Sequence, residues 1–271
     1  LFATGLGAQT PPDATEVAAY RGLNAAAAGG DVDALRRILA AKPDLEARDG
    51  HGRTALLIAA HGGRLPADVL TIFNNTGKEE EATLRFIRKC GERWGVGVVW
   101  LEYTAGAGFR VVDFNTASRN GEPFEAVIAQ RMTSADAGLP NRVARYCSSE
   151  MKTRTTHRYL RSLGWKEWDS LSGIRADEPK RVHTIRSNPH PETVDETVRI
   201  PLAELGIGAR DVGAFWTAND WDLELPNVGG KTMHGNCDLC FLKPSAQVVS
   251  LIAERPERAV WWAKQERKAA E

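Results

Sequence analysis

Residues 70–103 read LTIFNNTGKEEEATLRFIRKCGERWGVGVVWLEY, and how this stretch is parsed decides the fold. LTIF, with Val69 before it, is an apolar run of the length of a buried strand, and VGVVWLEY is a second one. Between them the apolar period changes, with Leu84, Ile87 and Trp94 falling on one face of a helix. Strand, helix and strand in this order make a βαβ unit, for which a right-handed crossover and parallel strands are expected. That places Asn75, Thr76, Gly77 and Lys78 at the carboxyl end of the first strand, where open α/β sheets bind ligands. Amides at a helix start, a glycine that permits close approach and a lysine that adds charge suit a phosphate or a nucleotide edge. An ordinary capping turn uses the same residues.

Upstream, residues 23–63 read LNAAAAGGDVDALRRILAAKPDLEARDGHGRTALLIAAHGG. At a shift of ~33 residues Ala27, Gly29, Gly30 and Ala34 match Ala60, Gly62, Gly63 and Ala67, and this is the ankyrin period. The segment resembles one ankyrin repeat and the start of the next: an Ala-rich helix, a Gly turn, a second helix and a DxxGxTxL hairpin entry. Asp31 is the expected N-cap of the second helix, Val32, Leu35, Ile38 and Leu39 share one face, and Pro43 lies beyond its end. Residues 18–62 are therefore expected to be a small all-α ankyrin-like segment, too short to stand as a binding array of its own because about three stacked repeats are needed. Before it, LFATGLGAQTPP has small residues around Gly7 and Ala8 like the end of a secretory signal, so residues 1–17 are expected to be a signal remnant or a disordered tail.

Composition narrows the function. The 271 residues hold 35 basic and 35 acidic side chains, which argues against wholesale binding to nucleic acid or to an anionic membrane and makes any anion site local. No run reaches the ~18 to 20 apolar residues of a spanning helix. Four cysteines, at 90, 147, 237 and 240, are too few for a disulfide-built scaffold and point to a reducing, cytoplasmic setting, in conflict with the export-like first residues. The six histidines show no HExxH spacing and there is no GxSxG, so most histidines read as surface or turn residues and no serine nucleophile is expected. Trp261 and Trp262 read as helix packing rather than a base-stacking platform.

Farther on, a polar turn is expected at Ser118 to Gly121, a basic helix over SSEMKTRTTHRYLRSLG, a strand near Leu171 to Ile174 ending in RADEPKR, and an exposed loop over 182–197. Helices are expected around Asp211 to Ala218 and from Ser245 to Glu266. Cys237 and Cys240 form a CxxC, which puts two sulfurs within reach of one metal. If Cys90 and Cys147 join them, the set suits an iron-sulfur cluster or a structural zinc; a redox dithiol or unrelated buried thiols are the other readings. Lys152 and Arg154, with Arg175, Lys180 and Arg181, form a basic set suited to phosphate or sulfate, or a solvated charged face.

Taken together, NTGKEEEATLRFI, YCSSEMKTRTTHRYLRSLGW, GIRADEPKRV and GNCDLCFLK resemble the phosphoadenosine phosphosulfate reductase-like branch of the adenine nucleotide alpha hydrolases, over residues 61 to about 266. The resemblance implies a doubly wound, mostly parallel α/β sheet in a domain spanning 63–271. It implies an adenine nucleotide or adenylylated sulfate as substrate, a [4Fe-4S] cluster (zinc as the alternative) on Cys90, Cys147, Cys237 and Cys240, and a reductant protein as partner. Asn75, Thr76 and Gly77, with Lys78, would line the nucleotide site. Lys152, Arg175, Asp177 and Glu178 fall at the family's substrate-facing loops, with Lys152 and Arg175 neutralising charge in a reduction, nucleotide hydrolysis or sulfur transfer. One departure stands out: the family's first strand and SGGxxS phosphate loop precede the position matched by HGG, and this chain has DLEARDGHGRT there. His51-Gly52-Arg53-Thr54 is a partial stand-in, and a sheet lacking its first strand would expose an edge and favour a homodimer. The alternatives are a catalytically inactive metal-binding domain and an ankyrin-mediated interaction protein.

Overall fold

The structure, a computed structural model, describes residues 12–44, 47–51, 53–55, 58–59, 69–133, 138–191, 193–228, 231–235 and 237–270. The stretch expected to resemble an export signal lies mostly outside them. The chain divides into two compact units, one reaching to Phe73 and including Leu84–Val99, the other comprising Asn74–Thr83 and everything from Trp100 onward.

The first unit begins with three short helices, α1 (Ala14–Ala19), α2 (Gly22–Gly29) and α3 (Val32–Ala40). Asp13 and Glu16 cap α1 reciprocally, each side chain accepting the other's backbone N–H at 2.8 Å. Gly30 ends α2 in the left-handed region, at φ 67°, where a glycine carries no steric cost. Asp31 caps α3 as expected, accepting from the Ala34 amide at 2.9 Å. The buried residues of α2 are Ala26, Ala27 and Ala28, small enough to let a neighbouring helix approach closely. The apolar face of α3 is less covered than its periodicity suggests: Val32 and Leu39 are each 46% exposed.

The hairpin entry follows, with Arg48 bridged to Thr54 in antiparallel fashion. Arg53 is 1% exposed; its Nε donates to Asp49 Oδ2 at 2.8 Å and its Nη2 pairs with Glu16 Oε2 at 3.0 Å. The Tyr20 hydroxyl donates to the same Asp49 oxygen at 2.7 Å. Burial opposes ionisation of Asp49, but hydrogen bonds from Tyr20, Arg53 and His51 prevail and hold its carboxyl at about 2. Burial, followed by the bond to Asp49, pushes Tyr20 up to about 12. The Arg53 guanidinium thus bolts α1 to the hairpin through Asp49 and Glu16; Gly52 of the His51 to Thr54 stand-in lies outside the described residues.

The βαβ stretch is built from β1 (Thr71–Asn75), α4 (Glu81–Trp94) and β2 (Val98–Glu102), followed by β3 (Arg110–Val112). The sheet order is β1-β2-β3. β3 runs antiparallel to β2, with Trp100 opposite Val112 and Glu102 opposite Arg110, because the connection between them is too short for a parallel crossover. Gly106 and Gly108 take positive φ in that turn.

In the second unit, α5 (Glu122–Met132) starts at Gly121. A short helix α6 (Tyr146–Ser148), a π-helical turn (Ser149–Arg154) and α7 (Thr155–Ser162) form the expected basic helix. Next come β4 (Trp168–Leu171), α8 (Pro179–Ser187) and β5 (Glu196–Arg199). They are followed by α9 (Pro201–Glu204), α10 (Ala209–Thr217), the β6–β7 ribbon (Asn227–Val228, Lys231–Thr232), α11 (Ser245–Glu254) and α12 (Glu257–Ala270). Phe124, Val127 and Ile128 of α5 pack with Tyr103, Tyr146 and Met151, and Trp261 and Trp262 lie against this core.

The fold is mixed helix and sheet with a small helical ankyrin-like start. The described residues form three small sheets in place of the single doubly wound sheet that was expected; β4 and β5 do pair in parallel. The strand expected near Leu171 to Ile174 lies earlier, at Trp168–Leu171, and of the loop expected over 182–197 the start is the end of α8 and the last two residues open β5, while the described residues between them are in neither helix nor strand. Pro179 at the start of α8 presets helical φ, and no residue of that helix is buried, so it leaves no apolar stripe in the sequence.

Candidate functional site

The NTGKE loop follows β1 directly and is held by its own side chains. Asn75 Nδ2 donates to Glu102 Oε1 at 2.6 Å and to the Ser118 carbonyl at 2.8 Å, and Asn75 Oδ1 accepts from the Gly77 amide at 3.1 Å. Glu102 is fully buried at 0% exposure and also accepts from the Ser118 amide (2.6 Å), Ser118 Oγ (2.8 Å) and Arg110 Nη2 (2.6 Å), which satisfies its buried charge. Glu79 folds back over Thr76, accepting its amide at 2.9 Å and its hydroxyl at 2.8 Å. The Lys78 amide donates to Thr76 Oγ1 (3.4 Å) and to Glu79 Oε2 (3.3 Å). The amides of Thr76, Gly77 and Lys78 are therefore engaged within the loop, and the position an anion would take at them is taken by the Glu79 carboxylate. At Gly77, with φ 75°, a Cβ would stand 3.1 Å from Gly121 N and Pro123 Cδ, so a side chain there requires its neighbours to give way on top of an unfavourable backbone conformation.

The CDLC segment is fastened to this loop. Asp238 donates its amide to the Lys78 carbonyl at 2.7 Å, and its carboxylate pairs with Lys78 Nζ at 3.1 Å, both side chains being 8% exposed. Trp262 Nε1 donates to Asp238 Oδ1 at 3.0 Å, and the Lys78 ammonium lies 4.7 Å from the Trp261 ring centroid. Beside it, Glu80 pairs with Arg258 and Arg255. Lys78, expected to add charge for a ligand, is thus committed to Asp238 and to the aromatic wall of α12.

Cys237 stands at this corner; Cys147 packs against the same apolar core, and Cys240 is close enough to act on both electrostatically. Cys237 Sγ is 3.3 Å from Thr76 Oγ1 and 3.8 Å from Glu79 Oε1. Burial, then the charge of Glu79, pushes the Cys237 thiol up to about 12, while Lys152 and Thr76 pull the other way. Cys147 is raised by burial and further by Cys240, and again Lys152 opposes. Burial raises the Glu79 carboxyl above its ordinary value, against the charge of Lys152 and the bonds from Thr76. Lys152, exposed on the π-helical turn, is therefore the cation common to Glu79, Cys147 and Cys237. Lys243 is buried, donates to the carbonyls of Gly235 (2.8 Å) and Cys237 (2.5 Å), and has its ammonium destabilised by burial, with Cys240 and Cys237 compensating.

Cys90 sits on α4 within the first unit, where burial pushes its thiol up to about 11 against a small pull from its own backbone. As the side chains stand, no three His, Cys, Asp or Glu among the described residues are arranged to hold a metal ion. Arg175 pairs with Asp177 at 2.9 Å and Glu178 at 3.6 Å, and Glu178 also with Arg181 at 2.6 Å; these groups satisfy one another in the turn before α8.

Sequence reasoning missed Glu79, Asp238 and Lys243, although Thr76-x-x-Glu79 has capping-box spacing. It also passed over the buried pair of His157 Nε2 and Glu196 Oε2, 3.2 Å apart, since nothing in the local pattern marks a histidine on the inner face of α7.

The comparisons with known proteins agree with the N-terminal part of this picture. The family described as ankyrin repeats (many copies) matches residues 23–70. Over 221 residues the chain is 28% identical to the uncharacterized nin region protein ORF290 of Escherichia phage lambda, an alignment that covers 76% of this chain and 68% of that protein. No solved structure matches the chain significantly. No described helix is long and apolar enough to cross a membrane.

Proposed function

We propose that the chain is a phosphoadenosine phosphosulfate reductase-like protein that binds an adenine nucleotide or adenylylated sulfate beside its thiol corner. One observation carries this reading: the loop at the carboxyl end of β1, the CxxC and the cationic π-helical turn, far apart in sequence, come together, with Thr76 Oγ1 only 3.3 Å from Cys237 Sγ. Because the loop amides are engaged, contact to a phosphate or sulfate falls to the exposed ammonium of Lys152, which already acts on Glu79, Cys147 and Cys237. The family's phosphate loop has no counterpart here, so this reading assigns binding to the corner before it assigns turnover. Thermal unfolding with and without millimolar ATP or adenylyl sulfate tests it. A ligand at 100 times its dissociation constant stabilises by about 2.7 kcal/mol, so an unmoved midpoint with both ligands refutes it.

A second reading has its own support. The engaged amides of the loop and the ankyrin match favour a catalytically inactive domain whose ankyrin-like segment holds a protein partner, as helical repeats commonly do. It predicts that Val32→Asp with Leu39→Asp on α3 abolishes partner capture and leaves the thiol corner unchanged.

A further inference from the structure

We propose that Glu79 is a built-in competitor at the NTGKE loop: its carboxylate fills the place that a pair of phosphate or sulfate oxygens of the ligand takes, and binding there requires it to swing out. The inference rests on the nucleotide reading of this corner and adds what keeps the loop closed. The two carboxylate oxygens collect three donors from one short segment. Oε2 accepts the amides of Thr76 at 2.9 Å and of Lys78 at 3.3 Å, and Oε1 accepts the Thr76 hydroxyl at 2.8 Å. A tetrahedral oxyanion presents two oxygens to a loop in much the same way, and amides gathered in a turn suit such an anion. The Gly77 amide stays out of the set, held by Asn75 Oδ1.

These bonds do not cap the helix that follows. Thr76 and Glu79 have capping-box spacing, but residues 76–80 are not helical and α4 opens only at Glu81, so Thr76 is not its N-cap and Glu79 is not in its first turn. What the carboxylate does is cover donors. Thr76 is fully buried, whereas Glu79, folded over it, is only half-buried, so rotation of one side chain uncovers two amides and a hydroxyl. Its hold on them is that of an anion on neutral groups: the bonds come from amides, a hydroxyl and, at 3.8 Å, the Cys237 thiol, and no lysine or arginine among the described residues forms an ion pair with it. A ligand anion of higher charge gains more from the same donors and can replace it.

The test uses the full chain, isotopically labelled, in three forms: unaltered, Glu79→Ala, which removes the competitor, and Glu79→Gln, which keeps the shape without the charge. Each is titrated with adenylyl sulfate and with inorganic sulfate, and urea unfolding records its stability. A site that must open before binding has its affinity reduced by the open fraction, so an open population of about 10% or less predicts adenylyl sulfate binding at least about tenfold tighter in Glu79→Ala, in a protein no more stable than the unaltered one. In the unaltered chain the amide resonances of Thr76 and Lys78 are expected to move at saturation. Tightening shared by inorganic sulfate assigns the effect to the oxyanion alone, tightening confined to adenylyl sulfate assigns it to the intact nucleotide, and both support the proposal, as does binding that appears only in the variants. If Glu79→Ala fails to fold, Glu79→Gln and the two amide resonances decide. Affinity unchanged or weakened in the variants, or amides of Thr76 and Lys78 that stay still at saturation, overturns the proposal and leaves nucleotide binding standing. No binding in any of the three forms overturns both.

Discussion

Asp238→Asn isolates the contact that fastens the CxxC to the NTGKE loop. Asparagine keeps the shape, the amide bond to the Lys78 carbonyl and an acceptor for Trp262, but it leaves the Lys78 ammonium without a counterion at 8% exposure. Removing one partner of a buried pair costs about 3–5 kcal/mol, and the Trp261 ring, 4.7 Å from Nζ, retains ~1–2 kcal/mol of stabilisation for the cation. The expected net loss is about 2–3 kcal/mol. With a midpoint shift of about 2–4 °C per kcal/mol for a unit of this size, the unfolding transition followed by tryptophan fluorescence falls by about 4–12 °C. Lys78→Met with Asp238→Leu, which removes both charges, recovers much of that loss, and the cycle gives the coupling energy. An exposed pair is worth about 1 kcal/mol or less, so a shift below about 2 °C in Asp238→Asn refutes the claim that a buried ion pair holds the two segments together.

Three other outcomes are expected. Gly77→Ala forces a Cβ to 3.1 Å from Gly121 N and Pro123 Cδ at φ 75°, and the combined strain destabilises the second unit by about 1–3 kcal/mol, read by urea unfolding. In the first unit, the folded chain holds Asp49 at about 2 against about 3.9 in the unfolded chain. The stability this gives is present above pH ~4 and drains away as the pH falls toward 2, so circular dichroism at rising acidity shows a loss that Asp49→Asn lacks. Lys152→Gln, at an exposed position, leaves the unfolding midpoint in place but weakens adenylyl sulfate binding by about tenfold, as expected for one lost charge-assisted hydrogen bond to an anion.

Elements marked by periodicity were legible in the sequence. Leu84, Ile87 and Trp94 announced α4, Asp31 and Pro43 bracketed α3, and the tryptophans of α12 pack on Phe124 as expected. The sheet was less legible, because a parallel partner and a hairpin partner leave the same apolar run; the short turn through Gly106 and Gly108, not the strand itself, makes β3 antiparallel. Helix α8 was hidden because none of its side chains is buried. At the site, the sequence could nominate Cys237 but not its neighbours Thr76 and Glu79, since spacing along the chain does not say which distant segments meet. Nor could it show that Lys78 is spent on Asp238, or that Glu79 occupies the amides an anion would use, as these are facts of tertiary contact and loop closure.

The most direct test of the account is calorimetric titration of the full chain with adenylyl sulfate, in parallel with Lys152→Gln and Thr76→Val. Saturable binding of one ligand per chain, weakened in both variants, is the predicted result. No heat of binding at millimolar ligand, or binding indifferent to both substitutions, contradicts the claim that the corner between the NTGKE loop, Lys152 and the CxxC takes a nucleotide.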